Sequence, residues 1–341
     1  MSSVAPTRVL ARATPILELN PIKGADRILL ARVMGWNVVV KKDEFRVGDL
    51  CIYFSIDSVL EADPEFDVRG GRLKTSKIRG VISQGLAKPL ELARKYGIEP
   101  ATIKEGDDLT RALKVTKYVF CEEGEDNGHG GKGNLPHGMH ITEETRVQER
   151  HHELGLLAVT ARQVVVTRKE DGTSTSYYFH KNSDESTFLV CGHRTVRTSA
   201  TKESLHYFRM EARFDIERKM RELGRNLIIQ GEIVGPGIQA NRLQLKELDF
   251  RVFYIWDIDH DRKLPWAETV ELCQKLGLNM VPVLYQGPFK PEWATVAGLL
   301  EWVNSLDYAP GRPAEGVVIS TDEPQSSFKV ISNRFLLKYG L

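Results

Sequence analysis

Short stretches of alternating apolar and polar residues fill the first third of the chain. Residues 27–33 (RILLARV) and 36–41 (WNVVVK) alternate on either side of Met34-Gly35. Two residues between such runs, glycine second, signal a β-hairpin. Residues 50–56 (LCIYFSI) form a third strand after Gly48-Asp49, and 72–82 form a further extended stretch before Ser83-Gln84-Gly85. A helix over 90–96 is stopped by Gly97. Several short, evenly spaced strands predict a small β-barrel.

Residues 124–138 (GEDNGHGGKGNLPHG) have no period and read as a linker. Gly130-Gly131-Lys132 lacks the spacing of a phosphate-binding P-loop. The pattern divides the chain into a barrel over 1–118, a linker over 119–139 and a second domain over 140–341. In the second domain, strands are predicted at 163–167, 175–179, 227–234, 250–258, 315–320 and 327–331. Helices are predicted at 204–223, 265–276 and 292–306. Leu205, Phe208, Ala212, Ile216, Met220 and Leu223 share one face of the first helix, and Gly224 follows it. The fold class is α+β, an N-terminal barrel followed by antiparallel sheets flanked by helices. It lacks the regular βαβ alternation and the GxGxxG of a dinucleotide fold.

Composition narrows the class further. The 341 residues carry 47 Lys+Arg against 46 Asp+Glu and are 41% apolar, which excludes a disordered chain. No apolar run approaches the ~18 residues of a membrane span, and the first residues lack the apolar core of a signal peptide. Cys51, Cys121, Cys191 and Cys273 are isolated, as expected for reduced thiols in the cytoplasm. A net charge of +1 leaves nucleic-acid binding to local clusters. One such cluster is Arg69, Arg72, Lys74, Lys77 and Arg79, five cations without an acid in eleven residues. On a barrel it suits a groove that tracks phosphates, with Trp36 and Tyr53 available to stack on bases. His129, His137 and His140 are irregularly spaced, and no zinc site is expected of them.

The chemistry lies in the second domain. Lys169-Glu170-Asp171-Gly172 follows an apolar strand, so Lys169 and Asp171 project to one side. A lysine there can bind an anion or act as a nucleophile. The second role needs its proton removed, with help from nearby cations or a metal. Glu232 sits near the end of one strand (LIIQGEIVG), and Glu315 opens another (EGVVI). Lys329 lies inside a short apolar strand (SFKVI), where a charge is costly without an anionic partner.

The ordered set Lys169, Glu232, Phe253 (in FYIWDI), Glu315 and Lys329 resembles the covalent nucleotidyltransferase superfamily of polynucleotide ligases and capping enzymes. The series KxDG, GEIVG, an aromatic strand, EGVV and a lysine-bearing strand covers residues 140–341. Within it the chain is most similar to ATP-dependent RNA ligases with an N-terminal OB module. Gly235-Pro236-Gly237-Ile238-Gln239 with Asn241, Thr142–Gln148 (TEETRVQ) and the N-terminal GWNVVVKK…VGDL…SQG run carry that closer likeness.

The resemblance implies an enzyme that joins 3′-OH and 5′-phosphate RNA ends, nicked or paired, through a lysyl-AMP intermediate on Lys169 and an adenylylated 5′-end. It implies ATP and Mg²⁺ or Mn²⁺, with Asp171, Glu232 and Glu315 around the metal. Arg146, Gln148, Arg194, Glu232, Phe253 and Lys329 would contact the nucleotide, Phe253 by stacking on adenine. The expected protein is a monomer without a membrane anchor. Two positions depart from common family patterns: Arg168 stands before the nucleophile and Ile331 replaces a second lysine. Only twelve residues follow Lys329. That is too short for the C-terminal OB domain usual in capping guanylyltransferases and DNA ligases. The alternatives are such a guanylyltransferase, or a non-catalytic RNA-binding protein on the same scaffold.

Overall fold

The N-terminal sheet is built on Ala11–Pro21. Its order is Trp36–Lys41, Ile28–Val33, Ala11–Pro21, Leu50–Phe54, Leu86–Pro89, all antiparallel. The Met34-Gly35 hairpin is as expected, with Val33 opposite Trp36. The central strand is not among the expected elements, and Pro15 and Pro21 would argue against a central position. Residues 11–15 pair with Leu50–Phe54, and residues 16–21 with Ile28–Val33. The strand therefore changes partner at Pro15, where the missing N–H does least harm. The predicted single stretch over 72–82 is instead a hairpin, Ser76–Ile78 with Val81–Ser83, turning at Arg79-Gly80. Leu90–Tyr96 is a 3₁₀ rather than an α-helix, closed by Gly97 in the left-handed region.

The remaining strands form two further sheets. The first runs Thr145–Arg146, Gln325–Ile331, Gly316–Asp322, Gln163–Lys169, Val283–Pro288. The second runs Val196–Arg197, Ser186–Cys191, Thr173–Lys181, Leu227–Val234, Asp249–Asp257, Arg262–Lys263, with Asn279–Met280 also on Asp249–Asp257. Helix Val296–Asn304 packs Leu299 and Val303 against Val164, Val317 and Phe328 of the first sheet. Thr295 caps it, its Oγ1 accepting from the Gly298 N–H at 3.1 Å. The helix expected over 204–223 is two helices, Leu205–Phe214 and Ile216–Leu223, broken at Asp215 with φ 52°. The break changes the buried face: Tyr207 and Met210 pack on the second sheet with Ile216 and Met220, while Ala212 is exposed.

The computed structural model describes residues 8–61, 66, 71–118, 135–136, 138–139, 143–198, 204–323 and 325–341. Most of the expected linker, Arg69, Cys121, Thr142 and the histidines at 129, 137 and 140 lie outside the described residues. Among the described residues, no helix is long and apolar enough to cross a membrane.

Candidate active site

The two C-terminal sheets are joined at the KxDG segment. Lys169 ends a strand of the first sheet, and Thr173 begins a strand of the second. Gly172 makes this crossing possible by having no side chain. A Cβ there would stand 2.3 Å from the Ile233 carbonyl oxygen and 2.6 Å from Glu232 Cγ. The glycine is needed for close approach, not for a left-handed turn.

Lys169 pairs across the sheet with Gly316, which brings its side chain to Glu315. Its Nζ stands 2.9 Å from each carboxylate oxygen of Glu315. Tyr308 Oη donates to the Lys169 carbonyl at 2.6 Å and fixes the strand end. On the second sheet Glu232 lies opposite Ser174. Asp171 is held by Arg242.

The electrostatics follow from this crowding. Burial pulls the Lys169 pKa down, but the charges of Glu315, Glu232 and Asp171 outweigh it and hold the amine above its usual value. Burial pushes the Glu232 carboxyl up to about 8; Lys169 opposes, while Glu315 and Asp171 add to the rise. Burial and Glu315 likewise raise Asp171, against Arg242. Glu315, Asp171 and the buried Glu232 thus crowd the Lys169 amine, and a divalent ion would favour their ionised forms. Among the described residues, no group of three or more His, Cys, Asp or Glu is arranged to grip a bare ion. Mg²⁺ keeps several of its waters and needs few direct carboxylates, so this donor set fits a hydrated divalent ion.

A cavity of about 1010 Å³ opens beside Lys169, with Glu232, Lys329, Arg146, Phe253 and Val318 on its wall. Lys329 pairs with Val318 on one side and with Arg146 on the other. Burial, then Arg146, Lys169 and Arg8, push the Lys329 pKa down to about 7. Arg146 has its Nε and Nη1 buried without a partner. The wall therefore combines an apolar face with cations short of anions, as a bound nucleotide requires.

The sequence profile of the RNA ligases matches residues 162–339, and an OB-fold domain profile matches residues 10–90. The chain belongs to the RNA ligase family. Its fold is that of Naegleria gruberi RNA ligase solved with pyrophosphate, at 30% identity and a TM-score of 0.85 over 98% of this chain and 99% of that one. A glutamate-to-alanine mutant of that ligase, solved with ATP and Mn, gives 31% identity and 0.86 over 98% and 100%. A lysine-to-methionine mutant with AMP and Mn gives 30% and 0.85 over 97% and 99%. No curated protein matches the chain in sequence.

Within the ligase the other expected residues divide. Arg194 lines the cavity and donates to Glu143 Oε1 at 2.8 Å. Lys117 of the barrel shares that oxygen at 2.9 Å, with His193 Nε2 3.7 Å away. Gln148 does not line the cavity: it is buried, and its carbonyl accepts from the Gly35 N–H of the barrel at 2.9 Å. Arg72 is not free for RNA. It pairs with Asp57 at 2.8 Å and stacks 3.8 Å from the Tyr118 ring centre. Trp36 and Tyr53 are core residues rather than base platforms, and Tyr53 Oη donates to the Gln84 carbonyl. Lys74, Lys77 and Arg79 are exposed. Arg168 and Glu170 line the cavity and pair with each other at 2.8 Å, and the same Glu170 oxygen also holds Arg251 at 3.1 Å. Ile331 is buried with Phe335 and Leu336 of the last helix, where a lysine would be unpaired.

Sequence reasoning missed Arg242, Glu143, Tyr308 and Arg8. Arg242 directly follows the Gly235–Asn241 motif, and Glu143 lies within TEETRVQ, so both could have been found there. Tyr308 and Arg8 meet the site only through distant chain segments and carry no local signal.

Proposed function

We propose that this RNA ligase is ATP-dependent and joins 3′-OH and 5′-phosphate RNA ends in three steps through Lys169. The observation that carries the reading is the Lys169 amine, held by Glu315 beside Glu232 and Asp171 at the wall of a cation-rich cavity. First, the neutral amine attacks the α-phosphorus of ATP. The P–N bond forms, the bond to the β-phosphate breaks, pyrophosphate leaves and the amine proton passes to solvent. Second, the RNA 5′-phosphate attacks the same phosphorus and frees the lysine. Third, the RNA 3′-OH attacks the 5′-phosphorus, its proton departs and AMP is released. Lys329 and Arg146 hold phosphate oxygens, and Arg194 meets the nucleotide or the RNA 5′-phosphate. Phe253 and Val318 give the adenine an apolar slot. A divalent ion near Asp171, Glu232 and Glu315 would draw their negative charge away from Lys169 and screen the phosphate oxygens. Neighbours solved with ATP, AMP, pyrophosphate and Mn support this choice of nucleotide and metal.

We assign residues 1–118 to the RNA-gripping barrel, 119–139 to the linker and 140–341 to the adenylyltransferase domain, in a monomer that works in the cytoplasm. The buried, unpaired Cys51, Cys191 and Cys273 suit a reducing compartment. Incubation with α-³²P-ATP and Mg²⁺ or Mn²⁺ should leave label on the protein in a denaturing gel, and Lys169→Ala should abolish it. Addition of 5′-phosphorylated RNA should then discharge the label. Labelling by GTP alone would make the protein a guanylyltransferase, and no label with any nucleotide would leave an RNA-binding scaffold.

A further inference from the structure

Behind the cavity, one carboxylate of the barrel gathers three arginines from three separate stretches of chain. Asp57 Oδ1 receives Arg72 Nη2 at 2.8 Å, and Oδ2 faces Arg8 Nη1 at 3.7 Å and Arg146 Nη2 at 3.9 Å. Although burial opposes it, Arg72, Arg146 and Arg8 together hold the Asp57 carboxyl below its usual range. Its backbone is left-handed, φ 69°, uncommon outside glycine. That conformation is secured at both ends: the Asp57 N–H donates to the Leu73 carbonyl at 2.9 Å, and its carbonyl accepts from the Tyr118 N–H at 2.7 Å. Arg72 is stacked on Tyr118 and stays away from the cavity. Arg8 and Arg146 line it, and Arg146 keeps two buried nitrogens without a partner.

Two guanidiniums and the amines of Lys329 and Lys169 thus crowd one wall, and their mutual repulsion would drive the flexible side chains apart. Asp57 is the carboxylate that faces both Arg8 and Arg146; Glu315 and Glu149 also act on Arg146, and Arg8 donates to the Ile56 carbonyl at 3.2 Å. We propose that Asp57 is a positioning residue for the first step, aiming Arg8 and Arg146 at the phosphates of the incoming nucleotide. It touches no substrate and acts only through those arginines. The inference rests on the proposed reaction with ATP and makes the barrel part of the nucleotide site as well as an RNA grip.

Asp57→Asn tests it cleanly. Asparagine has the same shape and tolerates a left-handed backbone, so the substitution removes charge and little else. By Coulomb's law alone, deleting an anion near bound phosphates should tighten ATP binding. Positioning demands the opposite sign. We expect the KM for ATP in self-adenylylation to rise roughly threefold to tenfold, the scale of ion pairs at 3.7 and 3.9 Å rather than of hydrogen bonds, with kcat changed far less. Sealing of RNA supplied with a pre-adenylylated 5′-end needs no triphosphate and should persist, which also reports an intact fold. In an Arg8→Gln background the KM effect of Asp57→Asn should shrink, because the two act as one unit. An unchanged or lower KM in Asp57→Asn, or equal loss of both reactions, overturns the proposal. Wild-type protein that takes no label from ATP would overturn the ligase reading, and this inference with it.

Discussion

In the proposed reaction Lys169 holds its proton against the attack it would have to make. Paired with Glu315 and shielded from water, the amine is more basic than a free lysine, yet only its neutral form attacks phosphorus. In the proposed reaction the carboxylates that hold its proton are those a divalent ion would occupy, so such an ion would favour the neutral amine. Glu315→Gln separates the two effects. Without the carboxylate, Lys169 should lose its proton at lower pH, and its modification by an amine-directed acylating reagent at pH 8 should rise several-fold, read by peptide mass spectrometry. Self-adenylylation should nevertheless fall by about 100-fold or more, because preorganised charge at the reacting phosphate is lost. A variant that adenylylates faster than wild type would mean Glu315 only restrains the lysine.

Elements whose residues serve both the pattern and the chemistry were readable in the chain. Leu227–Val234 was placed to the residue because its apolar run and its glutamate belong to one buried strand. Lys169, Asp171, Glu232 and Lys329 converge because strand pairing aligns positions the local pattern had already marked. What escaped depends on tertiary context. Pro15 hides a strand that changes partner, and Asp215 breaks a helix whose periodicity looks continuous. Ile331 reads as a missing phosphate contact until Phe335 and Leu336 are seen to cover it. Glu143 sits in a motif the sequence does mark, but its partners Lys117, Arg194 and His193 come from the barrel and from the turn before Val196–Arg197 and are legible only in the fold. His193, Lys117 and Arg194 hold its carboxyl well below the usual range, against the effect of burial. A depressed native pKa means the unfolded chain binds the proton more readily. The contribution is therefore full above about pH 4.5, the free carboxyl's value, and fades as pH falls further. Because Lys117 and Arg194 remain in contact with water, we expect Glu143→Gln to lower stability at pH 7 by about 1 kcal/mol at most. The difference should shrink steadily as pH falls below about 4.5 in paired urea titrations, and a gap that widens with acid would remove Glu143 from this role.

At the scale of the molecule, the barrel has an inward and an outward side. Inward, the Gly35 N–H donates to the Gln148 carbonyl, Gln84 Nε2 reaches Asn333 Oδ1 at 3.2 Å, and Lys117 pairs with Glu143. A Cβ on Gly35 would stand 2.6 Å from the Gln148 oxygen, a backbone atom that cannot step aside. Outward, Lys77 and Arg79 are exposed at the turn of the Ser76–Ile78 and Val81–Ser83 hairpin and are not among the residues lining the cavity. The two sides should therefore fail differently. Gly35→Val should push the barrel off its seat and weaken both self-adenylylation and RNA joining, because Arg8 and Lys117 leave the cavity with it. The double charge reversal Lys77→Glu/Arg79→Glu should leave self-adenylylation within about twofold. It should weaken RNA joining roughly tenfold or more at low salt, with a shallower salt dependence once two phosphate contacts are lost. Measuring both reactions for both variants decides the matter. If the charge reversal depresses self-adenylylation as much as joining, the hairpin serves the fold rather than the RNA, and a phosphate-tracking surface must be sought elsewhere on the barrel.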